Sequence, residues 1–137
     1  PRLVGATIIS YALASAFTSE TYDIIVAPTN LGAKFYNEEG KYQLYQTIVW
    51  GNLYIATVDN ITSISDLNGK DVTLFGKNST PDIIMKSLMK HYNININLNY
   101  VDDVASANTM LKQGKSSTIV TAQPSISKIA PTIENLK

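Results

Sequence analysis

The stretch Asp71-Val72-Thr73-Leu74-Phe75-Gly76-Lys77-Asn78-Ser79-Thr80-Pro81-Asp82-Ile83-Ile84-Met85 reads as a buried strand, a glycine turn and the mouth of a helix. Asp71 to Phe75 is a compact run of strand type that stops at Gly76. Pro81 suits the first helical turn, where its missing N–H costs nothing, and Asp82 complements the positive end of the helix dipole. Ile84, Met85, Leu88, Met89 and Tyr92 then recur on one side of a helix that ends around Asn93. A strand that turns sharply into an amphipathic helix is the building step of an α/β protein.

The same step recurs in both directions. Upstream, Arg2 to Val4 reads as a strand leading through Gly5-Ala6-Thr7 into a helix with Thr7 as its N-cap and Ile8, Ile9, Leu13 and Phe17 along one stripe. Tyr22 to Ala27 is a β-branched run stopped by Pro28, and Asn30 to Tyr36 reads as a short helix. Tyr42 to Thr57 is rich in Tyr, Ile, Val and Trp, which predicts two strands joined at Trp50-Gly51-Asn52-Leu53. Downstream, Asn95 to Val101 alternates polar and apolar residues, and Asp102-Asp103 opens a helix through Val104, Ala107, Met110 and Leu111 that Gly114 closes. Ser117 to Thr121 is the next strand, and Ala122-Gln123-Pro124 leads to a last helix through Ile126 and Ile129, stopped by Pro131. The polar run Asp59 to Lys70, with one helical turn at Ser65-Asp66-Leu67, marks a boundary and predicts lobes over residues 1–58 and 59–137. One design is used twice, since Asp23-Ile24-Ile25-Val26-Ala27-Pro28 and Thr118-Ile119-Val120-Thr121-Ala122-Gln123-Pro124 each follow a helix and precede another.

Composition bounds what such a fold can do. The 137 residues carry 11 Lys+Arg against 11 Asp+Glu, and 45% are hydrophobic. That is a globular composition able to bury roughly two thirds of its unfolded surface. The only arginine is Arg2 and the lysines are scattered, so the phosphate-tracking surface of a nucleic-acid binder is missing. With no cysteine there is no disulfide frame and no thiol chemistry. Leu3 to Phe17, with Ala14-Ser15-Ala16, imitates a signal peptide, but its stripe of large residues is that of a surface helix on a packed core. No run approaches the roughly 18 apolar residues of a membrane-spanning helix.

Catalytic constellations are thin. His91 is the single histidine and falls near a helix end, where a structural role is the simpler reading. Asp102-Asp103 is explained by helix capping rather than by a metal. Gly76-Lys77-Asn78-Ser79-Thr80 holds the residue types of a phosphate loop in the wrong order for nucleotide hydrolysis. Its N–H groups and the Ser79 and Thr80 hydroxyls suit a small anion or carbonyl, or simply cap the helix. Ligands of open α/β sheets settle outside the carboxyl ends of strands, which selects Gly5-Ala6-Thr7, Pro28-Thr29-Asn30, Ser79-Thr80 and Gln123-Pro124. Trp50, beside Gly51, is the best candidate for stacking on a ligand.

Taken in order, Tyr22 to Asn37, Trp50-Gly51-Asn52-Leu53-Tyr54, Asp66-Leu67-Asn68-Gly69-Lys70, Gly76 to Ile84, Tyr100-Val101, Gly114-Lys115 and Gln123-Pro124 resemble the successive blocks of substrate-binding proteins of ABC importers. The resemblance is to the branch that includes nitrate, sulfonate, taurine and thiamine-precursor receptors. It implies a type II periplasmic-binding-protein fold, with two small α/β lobes joined by hinge strands that close on a ligand. It also implies a chain incomplete at both ends, a membrane permease as partner, and an extracytoplasmic setting, periplasmic or lipid-anchored. Carried over as ligand contacts are Thr7, Thr29, Asn30, Trp50, Ser79, Thr80 and Gln123, with no catalytic residue, metal or cofactor. Gln123-Pro124 stands where relatives often show Glu-Pro, and Ser116-Ser117 replaces an acidic position, so contacts by an acid there are not carried over. The fold also serves an enzyme of thiamine-pyrimidine synthesis and the effector-sensing domain of transcription regulators. The enzyme would need a reactive histidine in the cleft and the regulator a helix-turn-helix ahead of the domain. Neither the identity of the ligand nor the oligomeric state follows from these residues.

Overall fold

The structure, a computed structural model, describes Leu3–Gly5 and residues 10–137. Its chain forms two compact units, residues 1–50 and 51–137.

In the first unit, strand β1 (Leu3–Gly5) pairs in parallel with β2 (Ile24–Val26), Leu3 opposite Ile24 and Gly5 opposite Val26. Helix α1 (Ser10–Ser19) connects them, and α2 (Thr29–Glu39) follows β2 through Pro28. Leu13, Ala16, Phe17 and Phe35 are buried. The Phe17 and Phe35 rings stack at 4.8 Å, and Tyr42 meets Phe17 edge-on at 5.4 Å. Gly40, at φ +67°, ends α2 in the left-handed conformation that lets its N–H reach the Tyr36 carbonyl at 2.9 Å.

The second unit is built on four strands, β3 (Leu53–Thr57), β4 (Asp71–Phe75), β5 (Asn97–Val101) and β6 (Thr118–Ala122), in the order β3-β6-β4-β5. Strands β4, β5 and β6 run parallel, and β3 is antiparallel to β6. Between them stand α3 (Thr80–Tyr92) and α4 (Val104–Lys112), with α5 (Ser125–Ile129) after β6. Successive residues of a strand face opposite ways, and β6 feeds two cores, one through Val120 and the other through Ile119. Val120, Val72 and Leu74 join Leu67, Met85, Ile94 and Ile96 on the α3 side. Ile119 and Ala56 join Ala107, Leu111 and Ile126 on the side of α4 and α5. The buried threonines of the sheet are hydrogen-bonded through their hydroxyls. The Thr57 and Thr118 hydroxyls lie 2.8 Å apart, Thr73 donates to Ser116 at 2.9 Å, and Thr121 donates to Asn108 at 2.7 Å.

The order of elements follows the sequence reading, and three features depart from it. Residues 40–52 form no strand, although Tyr42 to Trp50 was expected to make one. Strand propensity is mostly fit to a half-buried sheet surface, and among the described residues this segment meets no strand edge. Tyr42 is instead tied down by its hydroxyl, which donates to the Tyr22 carbonyl at 2.9 Å, while Tyr45 is 98% exposed. Second, the units divide between Trp50 and Gly51, not at Asp59, because Leu53–Thr57 is hydrogen-bonded to β6 along its whole length. Third, Pro131 does not stop the last helix abruptly; it sits inside a 3-10 turn, Ala130–Thr132, that continues α5. The repeated design is visible as helix, strand, proline, helix in α1-β2-α2 and in α4-β6-α5.

Candidate functional site

The parallel strands β4, β5 and β6 deliver their carboxyl ends to one edge of the sheet. From β4 the chain crosses to β5 on one side and then back past β4 to β6 on the other, so the strand order reverses between β4 and β6. Outside the carboxyl ends of such a pair the two connections diverge and leave a crevice. The segments that leave the two strands at that point are the loop Gly76–Ser79 after β4 and Gln123-Pro124 after β6. Two of the expected contact regions, Ser79-Thr80 and Gln123, are thus brought to one rim by topology.

The 76–79 loop is held in one shape from several directions. Gly76 takes φ +69°, and a Cβ placed there would lie 2.3 Å from Ser79 Oγ, so a side chain at this position is strained and displaces the hydroxyl. Ser79 Oγ donates to the Gly76 carbonyl at 2.6 Å, and its own N–H donates to the same carbonyl at 2.9 Å. The hydroxyl therefore closes the loop rather than capping α3. Ser79 and Thr80 are both half-buried.

Beneath the loop lies a carboxylate that the sequence reading treated only as a helix-dipole residue. Asp82 is 1% exposed. Its Oδ2 accepts from Asn78 N–H at 2.8 Å and from Lys86 Nζ at 2.9 Å, and its Oδ1 accepts from the Tyr100 hydroxyl at 2.8 Å. Burial acts to raise its pKa, but the bonds from Lys86, Asn78 and Tyr100 and the charge of Lys86 prevail and hold it below the usual 3.8. Tyr100 is pushed up by its own burial and by donating to Asp82. Lys77 Nζ stands 5.2 Å from the Tyr100 ring centre, over its face, which ties the loop to β5 as well. The i,i+4 spacing of Asp82 and Lys86 was legible in the sequence; the contact with Tyr100 was not.

The remaining expected contacts sit as follows. Gln123 is exposed, with its N–H on the Asn52 carbonyl at 3.1 Å and its Oε1 accepting from Ser127 Oγ at 2.8 Å. Thr29 and Asn30 are exposed at the start of α2, where the N–H groups of Leu31 and Gly32 turn back to the Pro28 carbonyl at 3.0 and 3.2 Å. Trp50 is 84% exposed in the first unit. Thr7 lies outside the described residues. Ser116 precedes β6, at the edge opposite the crevice, and its hydroxyl donates to the Thr118 carbonyl at 2.9 Å. Asp103 is the N-cap of α4, its Oδ1 accepting from Ser106 N–H at 2.7 Å, and that bond lowers its pKa. His91 is exposed in the last turn of α3, against the edge of Tyr92. Eleven helical residues place it about 17 Å along the axis from Thr80 and the loop.

No protein-family model matches this sequence, and no curated protein matches it. Solved structures do. An ABC transporter protein from Parabacteroides distasonis superimposes with a TM-score of 0.80 at 22% identity, covering 94% of this chain and 44% of its own. A periplasmic binding protein of an ABC transporter from Brucella ovis, solved with glutathione bound, gives 0.64 at 12% identity over 90% of this chain and 40% of its own. This is the fold of ABC-transporter substrate-binding proteins. A substrate binding domain of an ABC transporter from Streptococcus pneumoniae also shares that fold, with a TM-score of 0.53 at 13% identity over the whole of this chain. The chain spans less than half the length of the first two of these binding proteins. Among the described residues no helix is long and apolar enough to cross a membrane, and no group of three acidic or histidine side chains could hold a metal ion.

Proposed function

We propose that this chain belongs to the solute receptor of an ABC importer, which captures a small organic or anionic nutrient outside the cytoplasm and delivers it to a membrane permease. The observation that carries the reading is the rigid Gly76–Ser79 loop beside Gln123 at a strand-order reversal, in a fold shared with binding proteins of such transporters. Ser79, Thr80 and Gln123 in the second unit are its ligand contacts, and Thr7, Thr29, Asn30 and Trp50 in the first are candidate contacts of that unit. The one arginine is Arg2, so recognition at the second unit's rim rests on hydroxyls, an amide and backbone N–H groups rather than on a guanidinium clamp. Small anions such as nitrate, sulfonates, amino acids and thiamine precursors all match that chemistry. The receptor is periplasmic or held at the membrane by a lipid. His91, at the far end of α3 from the loop, gives the enzyme reading nothing to work with at the crevice.

The test is a thermal-shift screen of the protein against nitrate, taurine and other sulfonates, amino acids and thiamine precursors. A ligand at 100 times its Kd adds about 2.7 kcal/mol to stability. A saturable shift that the pair Ser79→Ala and Thr80→Ala abolishes supports the receptor and its loop. Chemical turnover of any member of the panel would replace it with the enzyme.

A further inference from the structure

Strand β5 closes the sheet on the far side of β4 from the crevice, and only its inner side is paired. Asn97 N–H donates to the Lys70 carbonyl at 2.9 Å and Asn95 N–H to Asn68 Oδ1 at 2.9 Å, while the Asn95 carbonyl accepts from Gly69 N–H at 2.6 Å. Backbone groups alternate in direction along a strand, so Asn95, Asn97 and Asn99 bond toward β4, and Ile96, Leu98 and Tyr100 turn their N–H and C=O groups outward. Among the described residues no strand meets that side. An open edge is a template for another strand, and it is usually blunted by lysine, proline or a bulge. Here no lysine, acid or proline stands between His91 and Asp102, and the register with β4 runs unbroken from Asn97 to Val101.

The edge is complementary to a copy of itself. On either side of Leu98 stands an asparagine and then an apolar residue, Ile96-Asn97 before it and Asn99-Tyr100 after it. Let two copies run antiparallel with Leu98 facing Leu98 on a twofold axis. Ile96 then faces Tyr100 and Asn97 faces Asn99. The three outward residues of each strand all fall in hydrogen-bonded pairs, each exchanging both bonds. Ile96 is 6% exposed and packs with half-buried Leu98 and Tyr100 on the α3 side, so that apolar face continues from one sheet into the other. Asn97 and Asn99 are exposed on the opposite face, where each amide can both donate and accept.

Charge selects the antiparallel direction. The strand is flanked by Lys90 and His91 at one end and by Asp102 and Asp103 at the other, all exposed. The Leu98-centred register sets Asp102 across from Ile94 and Asp103 across from Asn93, beside the last turn of α3 with Lys90 and His91. A parallel pair would set acid beside acid.

From these features we infer that β5 is a self-association edge, through which two copies of this chain join antiparallel about Leu98 into one continuous sheet. The contact is isologous, so the same residues serve both copies and the assembly closes at two. It goes beyond the solute-receptor reading and involves no ligand.

The experiment is sedimentation equilibrium of the 137-residue chain from about 10 to about 1000 µM, a range that spans weak association. The expected mass rises from 15.0 kDa toward twice that value. Asn97→Lys together with Asn99→Lys sets like charges opposite one another across the axis and should weaken association by about tenfold or more. Asn97→Lys together with Asn99→Glu sets opposite charges at the same places and should hold the dimer to within about threefold or tighten it. Amide exchange of the unsubstituted chain supplies a readout that needs no variant to fold. The Ile96, Leu98 and Tyr100 amides should slow by about tenfold or more as concentration rises, and those of Asn97 and Asn99, already bonded to β4, should slow less. A chain that stays at 15.0 kDa throughout overturns the inference. A dimer indifferent to the paired lysines overturns it in favour of another surface, and equal dissociation of the two double variants overturns the register.

Discussion

The Tyr100 hydroxyl donates 2.8 Å to Oδ1 of Asp82, joining the fourth residue of β5 to the first turn of α3. The other oxygen of the same carboxylate holds Asn78 N–H and Lys86 Nζ. One buried side chain thus sets the loop, the helix start and the neighbouring strand relative to one another.

Asp82→Asn keeps the size of the group and removes its charge, so Lys86 loses its partner and one donor meets an amide instead of a carboxylate. The expected loss is about 1–3 kcal/mol near neutral pH, measured by urea unfolding. The folded-state pKa lies below 3.8, so the unfolded chain takes up the proton first as the pH falls. Stability from Asp82 is complete above that value and is lost as the pH drops through the folded one. The gap between native and variant should be constant at about pH 5 to 7 and narrow below about pH 4. A gap that persists undiminished at the lowest pH would show that the charge contributes nothing.

Gly76→Ala forces a Cβ to within 2.3 Å of Ser79 Oγ at a φ of +69°. The left-handed conformation alone costs roughly 1–2 kcal/mol, and the clash adds to it. Removing the hydroxyl with Ser79→Ala in the same chain should recover the clash and leave the conformational part. Differential scanning calorimetry of the two single variants and the double variant separates these contributions, because the pair must then be non-additive. Strict additivity would mean that the loop relaxes freely.

Thr121→Val leaves Oδ1 of the buried Asn108 without its donor at 2.7 Å. An orphaned buried acceptor costs about 1–3 kcal/mol. Asn108→Leu added to Thr121→Val should cost less than the sum of the two changes, by about 0.5–3 kcal/mol of coupling. The coupling is read from a double-mutant cycle in guanidinium chloride.

Leu74→Ala opens the centre of the larger core, where Leu74 is fully buried between β4 and α3, and should cost about 3 kcal/mol or more. Leu44→Ala, in the segment that forms no strand and at 73% exposure, should change stability by less than about 0.5 kcal/mol. A large loss at Leu44 would mean that the Tyr42 to Trp50 segment is packed as the strand its composition suggests.

The alternation of strands and helices in the second unit was legible because its signals are local. Gly76, Pro81 and Asp103 restrict the backbone within a few residues of where they stand, and the stripe Met85, Leu88, Met89 needs only the helical period to face a core, whereas Ile84 of the same stripe is exposed. The ends of those elements followed from the same residues, as at Asn93 and Gly114, which take φ +51° and +67°. Ser79-Thr80 and Gln123 were legible as candidate contacts because a strand's carboxyl end can be found once the strand is found.

What only the tertiary structure decided depends on partners distant in the chain. The strand character of Tyr42 to Trp50 and of Leu53 to Thr57 is similar in composition, yet only the second has an edge to pair with, in β6, and so only the second is a strand. That pairing also moves the division between units to Trp50/Gly51. In the sequence Asp82 reads only as a helix-dipole residue at the start of α3. Its burial follows from Tyr100, 18 residues further on, and from the parallel register that sets Leu74 of β4 against Tyr100 of β5. Backbone preference acts over a few residues and can be read from them, whereas pairing and burial depend on which surfaces the whole chain brings together.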